Sequence, residues 1–146
     1  MPKGQRHGWP AGELYTGHYH RSLRRAADAL THPDLIRIAS ALHGLVPFDR
    51  SLHPYNVTLR HKRAITTEKM SGHTRGYGLF DADVIFLGGQ DYAELLRPSV
   101  PHLLAPLTGQ MGEHRRLCRH ARENPVLRET WWEQAAALFD EHRPAP

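Results

Sequence analysis

Apolar positions alternate with polar ones in two different periods along this chain. From Tyr19 to Leu30 the apolar side chains are Tyr19, Leu23, Ala26, Ala27 and Leu30, spaced i, i+4, i+7, i+8 and i+11. That is the one-sided stripe of a helix, with Arg21, Arg24, Arg25 and Asp28 on the polar side. Thr31-His32-Pro33-Asp34 breaks it, and Leu35 to Ser40 reads as a short strand. Pro47 and Pro54 punctuate Gly44 to Pro54, which reads as loop. Leu59 to Tyr77 is polar, helical around Ala64 to Met70, then loop through Gly72, Gly76 and Gly78. Val84-Ile85-Phe86-Leu87 is a continuous apolar run between Asp83 and Gly88-Gly89, the mark of a strand buried on both faces. Tyr92 to Leu96 is a short helix stopped by Pro98, and Leu103 to Leu107 another short strand. Gly112 to Arg122 is a basic helix. The last helix starts on Asn124 as N-cap with Pro125 at its first position. Leu127, Trp131, Gln134/Ala135 and Leu138 then share one face.

This order predicts an α/β fold, a small parallel or mixed sheet flanked by helices with a C-terminal helical extension. Three segments follow: an irregular basic N-terminus over 1–11, an α/β domain over 12–123, and a helix and tail over 124–146. A chain of 146 residues is one domain by size. No apolar run approaches the roughly 18 residues of a membrane span. The basic stretch Met1 to Gly8 has no apolar segment after it, so no secretory signal is expected. The single cysteine, Cys118, excludes an internal disulfide and fits a cytoplasmic location.

Charge widens the functional question more than it narrows it. The formal net charge is +4, and arginine supplies 16 of the 19 basic residues. Arginine is the bidentate reader of phosphate, so a nucleotide or nucleic-acid partner is permitted. A genome rich in Arg, Ala and Pro codons accounts for the same figures. The 12 histidines add positive charge below about pH 6.5.

Candidate chemistry gathers at turns. Gly88-Gly89-Gln90-Asp91-Tyr92 follows a buried strand, where glycines let backbone amides approach an anion at a helix start; a tight turn explains the same pair. Gly109-Gln110-Met111-Gly112 precedes a helix with His114, Arg115, Arg116 and Arg119, an arrangement suited to phosphate or to a plain solvated face. Ser40 and His43 would be nucleophile and base of a hydrolase, but the nucleophile-elbow glycines are missing. Small residues up to Gly44 instead make room for a planar ligand, with Ser40 and His43 lining it. Tyr15, Tyr55 and Tyr92, beside Thr16 and Asn56, would stack on a base. Glycosidic cleavage needs a carboxylate, for which Glu13 and Asp91 are the best placed. The scattered histidines lack ligand spacing, so no metal and no cofactor is expected. Of Trp131 and Trp132, one belongs in the core and the other marks a helix-packing or dimer surface. Leu14 to Gly17, Ile38 to Leu59, Gly88-Gly89 and Gly109 to Gly112 together predict one cleft built from four turns.

On these residues the chain resembles a bacterial family related to the YaaA peroxide-stress proteins. Leu14-Tyr15-Thr16-Gly17, Leu35 to Gly44, Pro54 to Leu59, Ile85 to Tyr92 and Pro106-Leu107-Thr108-Gly109 occur in the family's order, over roughly residues 10–120. The resemblance implies an α/β fold with a basic cleft for DNA or nucleotides. The family's opening strand, with its Cys/Ser-rich, lysine-bearing turn, has no counterpart in Met1 to Ala11, and Leu59 to Tyr77 is short for the family. The expected function is recognition of a nucleobase or nucleotide, with N-glycosidic cleavage in a nucleotide, nucleoside or DNA base as its enzymatic form. The alternatives are a non-enzymatic DNA- or RNA-binding stress-response module, and an interaction subunit or homodimer whose sheet a partner strand completes.

Overall fold

The run Val84 to Leu87 divides the molecule. In a computed structural model, which describes residues 9–10, 18–40, 43–47, 51–52 and 64–143, its side chains alternate between two hydrophobic cores. Ile85 and Leu87 face a core of Ala26, Leu107, Cys118, Ala121 and Trp131. Val84 and Phe86 face the other, built on Leu45, Met70, Leu96, Val100 and Leu103. A two-residue period between two apolar environments leaves no polar face, which is why the run is continuously apolar. Its partner lies in Leu103 to Leu107; both runs are expected as strands, and neither forms one, because the pairing stops at one bridge. The Leu104 N–H donates to Val84 O (2.9 Å) and the Phe86 N–H to Leu104 O (2.8 Å), a single parallel bridge centred on Ile85 and Leu104.

The remaining pairing is antiparallel. Strand β1 (Trp9–Pro10) pairs with β4 (Ser51–Leu52), and β2 (Arg37–Ser40) with β3 (Gly44–Pro47). In the second ladder Arg37 faces Pro47, Ile38 faces Val46, Ala39 faces Leu45 and Ser40 faces Gly44. The class is therefore α/β with a helical C-terminus, and the sheet is small; its ladders are antiparallel where the sequence predicts a parallel or mixed sheet. Gly44 to Pro47, expected as loop, is a strand: its backbone finds a hairpin partner in β2, which no local signal announces. Residues 9–10, expected irregular, pair in the same way.

Helix α1 (His18–Leu30) and α4 (Met111–Glu123) make the most extensive contact between elements. Leu23, Ala26 and Leu30 of α1 meet Leu117, Cys118 and Ala121 of α4, as the apolar stripe of the sequence requires. Helix α2 (Thr67–Gly76) starts on Thr66, whose hydroxyl accepts the Lys69 N–H (3.2 Å). Gly72 and Gly76, expected in a loop, continue this helix because Met70 and Thr74 bury its inner face. Gly78, at φ 72°, then turns the chain. Helix α3 (Gln90–Leu96) follows Gly89.

Helix α5 (Pro125–His142) begins as the sequence predicts. Asn124 Oδ1 accepts the N–H groups of Val126 (3.0 Å) and Leu127 (3.4 Å). Asn124→Ala strips both bonds, and a loss of about 1 kcal/mol is expected as a lower urea midpoint at unchanged m-value. Trp131 is buried in the first core, while the Trp132 indole N–H donates to Leu30 O (3.0 Å). Trp132 thus ties α5 to the end of α1, the helix-packing role of the two expected. Among the described residues no helix is long and apolar enough to cross a membrane.

Candidate functional site

The β2–β3 turn is closed by side chains. Ser40 is fully buried, and its Oγ accepts the His43 N–H (3.1 Å). Ser40 therefore takes part in closing the turn. Gly44 stands at φ 76° with His73 of α2 against it. The Leu45 N–H donates to His73 Nδ1 (3.1 Å). That bond requires Nδ1 unprotonated, so the neutral imidazole carries its proton on Nε2. Arg37, at the other end of β2, donates through Nη1 to Asp34 O (2.6 Å) and Ile36 O (3.0 Å), and its guanidinium lies 4.6 Å from the Tyr77 ring centroid. The hairpin is thus held to α2 by an imidazole and to the turn after α2 by a cation–π contact.

The glycines expected to cradle an anion differ in their surroundings. Gly88 is buried, and a Cβ there would stand 2.8 Å from Phe86 Cζ. Gly88 is small so that the Phe86 ring can close over it. Gly89 caps α3 with ordinary φ of −77°, so neither glycine needs the left-handed region. Asp91 is exposed in the first turn of α3, and Tyr92 is half-buried, with burial raising its hydroxyl above the usual value. Gly109 does take the left-handed region, at φ 76°. A Cβ on Gly109 would meet the Glu113 side chain at 3.2 Å, so a carboxylate side chain lies against the turn expected to hold phosphate. Glu113 is hydrogen-bonded to Arg116, and that bond holds its carboxyl below the usual range. Arg115 is exposed on α4.

The candidates therefore fall into three turns. Ser40, His43 and Gly44 form the hairpin; Gly88, Gly89, Asp91 and Tyr92 form the entry to α3. These two border the same core through Leu45, Phe86 and Leu96. Gly109 lies in the turn before α4 and Arg115 on α4, which packs on the other core. Glu13, Tyr15, Thr16, Tyr55 and Asn56 lie outside the described residues.

A cleft of ≈ 370 Å³ opens elsewhere, and none of the described candidates lines it. Its walls include Phe80, Asp81, His102, Phe139, His142 and Arg143. His102 is buried, and its Nε2 lies 3.1 Å from Leu79 O and 2.8 Å from Ala82 O. Carbonyls only accept, so Nε2 carries a proton that both share. This fixes the turn bearing Phe80 and Asp81. The His102 ring meets Phe139 edge-on (5.2 Å, 79°), and Arg143 lies 5.2 Å from the Phe139 centroid while pairing with Asp140 (3.0 Å). Residues more than 60 apart in the chain build this cleft, and no local motif marks it.

Between α1 and α4, the Tyr19 hydroxyl and His114 Nδ1 share a hydrogen bond of 2.8 Å. Burial, and then the neighbouring Cys118, raise the Tyr19 hydroxyl above its usual value. Burial likewise pushes the Cys118 thiol up to about 11, with Arg122 opposing. The folded chain keeps this proton longer than the unfolded chain does. The resulting stability is full below the ordinary thiol value and is lost as pH rises through about 11. Iodoacetamide at about pH 8 should leave Cys118 unmodified in the folded protein and alkylate it in urea, as read by mass spectrometry.

The outer sides of α1 and α4 are basic. Arg21, Arg25, Arg115, Arg116 and Arg119 are exposed, with Arg24 and Arg122 partly so. The three carboxylates on these helices are each engaged: Asp28 with Arg24 (3.1 Å), Glu113 with Arg116, and Glu123 with Arg119 (3.7 Å). Among the described residues Arg25 and Arg115 make no ion pair. Among the described residues, too, no group of three or more His, Cys, Asp or Glu side chains gathers as a metal site would need.

Residues 2–118 match the model of one protein family, described as a family of unknown function, DUF6884. No curated protein and no solved structure matches the chain.

Proposed function

Because the chain belongs to the DUF6884 family, whose function is unknown, we propose its function from its own surfaces: it binds nucleic acid through the arginines of α1 and α4. The observation behind this reading is the excess of seven arginines over three carboxylates on two packed helices, with the carboxylates already paired. A guanidinium is weakly hydrated and presents five N–H donors, which suits it to phosphate oxygens. Rigid packing of Leu23 and Ala26 against Leu117 and Ala121 holds the helices that carry them. Resemblance to the YaaA-related family, with its basic cleft for DNA or nucleotides, points the same way. The glycosidase form needs Glu13 or Asp91 placed against a sugar; Asp91 is exposed on a short helix. Binding needs neither.

Fluorescence anisotropy with a labelled DNA duplex tests the proposal. Phosphate contacts release counterions, so log K should fall linearly with log salt between about 50 and 200 mM. Arg25→Ala with Arg115→Ala should reduce the slope by about two, roughly one for each phosphate that the pair neutralises. Absence of binding at about 50 mM salt, or binding indifferent to salt, overturns the reading.

A further inference from the structure

We infer that the cleft between the Leu79–Asp81 turn and the C-terminal end of α5 is a binding site for a guanine base. Its volume of ≈ 370 Å³ lies at the small end of ligand pockets, which begin at about 300 Å³. None of its lining residues belongs to α1 or α4, so the site stands whether or not those helices bind phosphate.

Three groups define the ligand. Phe80 is 54% exposed and lines the cleft, an aromatic ring on which a planar heterocycle can stack. Asp81, adjacent and exposed, brings a carboxylate that accepts two hydrogen bonds. Arg143 brings a guanidinium whose pairing with Asp140 leaves further N–H donors. A flat ligand with two adjacent donors on one edge and two adjacent acceptors on another meets this set. Guanine has N1–H and N2–H₂ for the carboxylate, and O6 and N7 for the guanidinium. Adenine sets its N1 acceptor against the carboxylate and is disfavoured. The site is preorganised: the His102 proton shared by Leu79 O and Ala82 O holds the turn that carries Phe80 and Asp81. His142 Nδ1–H donates to Leu138 O (2.9 Å), which leaves Nε2 an acceptor while the ring is neutral.

Isothermal titration of the full chain with guanosine, inosine, adenosine, GMP and ribose 5-phosphate tests the site. Guanosine should bind saturably. Inosine, lacking the 2-amino group, should bind about tenfold more weakly, as loss of one hydrogen bond to a charged group requires. Adenosine should bind at least about tenfold more weakly than guanosine. Asp81→Asn should bring guanosine and adenosine to within about threefold of each other. Phe80→Ala should weaken both nucleosides about tenfold, with the circular dichroism spectrum and the duplex-DNA affinity unchanged. Equal affinity for guanosine and adenosine, or no saturable binding of either, overturns the inference. So does ribose 5-phosphate binding as well as GMP to the Arg25→Ala/Arg115→Ala variant, which has lost the proposed phosphate contacts of α1 and α4, since that marks an anion site. Duplex binding that fails while guanosine still binds removes the arginine-face proposal alone.

Discussion

Gly44→Ala is expected to cost about 3 kcal/mol of stability, a fall in Tm of roughly 10 °C for a chain of this size. Two penalties combine. The backbone sits at φ 76°, where an L side chain is strained. The new Cβ would also press on His73 Nδ1 and stand 2.5 Å from Ile65 Cδ1, closer than real Cβ atoms come to their neighbours. Ile65 packs on the second core, and His73 holds the Leu45 N–H, so neither moves without breaking an interaction. The hairpin would separate from α2 and leave the Leu45 N–H of a buried residue without its acceptor. Gly72→Ala is the control: its Cβ meets nothing within 4 Å, and it lies inside α2. That change should stabilise by about 0.5–1 kcal/mol. Urea unfolding of both variants reads the contrast. A Gly44→Ala protein as stable as the parent would mean that the turn does not hold the hairpin to α2.

Trp131→Ala should cost about 3–5 kcal/mol, the usual range for removing a large buried aromatic. Trp131 is 5% exposed and joins α5 to Ala26, Leu107, Cys118 and Ala121. The cavity would open where α1, α4 and α5 meet, so these helices should lose hydrogen-exchange protection first. Cys118 lies in the same cluster, and its alkylation by iodoacetamide should quicken in this variant. Trp132→Phe keeps an aromatic ring and removes the N–H that bonds to Leu30 O, so a loss near about 1 kcal/mol is expected. A Trp131→Ala protein with unchanged unfolding midpoint and a still-protected thiol would show that α5 is an appendage rather than part of the core.

The two variants probe what is hidden in the chain and what is legible. Trp131 is read from the periodic face it shares with Leu127 and Ala135, and the start of α5 from Asn124 and Pro125. Tyr19 to Leu30 is read as a helix for the same reason. The apolar run at Val84 to Leu87 announces burial on both faces, and the structure places a core on each side of it. The turn at Ser40 to Gly44 is legible as a turn, but not as one shut by its own serine and propped by His73. That Gly88 packs under the Phe86 ring is not legible in the Gly88-Gly89 pair.

The division follows the range of the forces involved. Helix caps, apolar stripes and the two-residue alternation act within a single element, over a few residues, and are written in the chain. The sequence by itself therefore determines α1, α4 and α5, the α/β class and the abundance of arginine on two helix faces. Tertiary structure alone decides that β3 pairs back on β2, that His73 meets Gly44 across 29 positions, and that Phe80 and Asp81 share a cleft with Phe139 and Arg143. The pairing of β3 with β2 crosses only a short turn, whereas the other two contacts join elements remote in the chain, which packing around the two cores brings together.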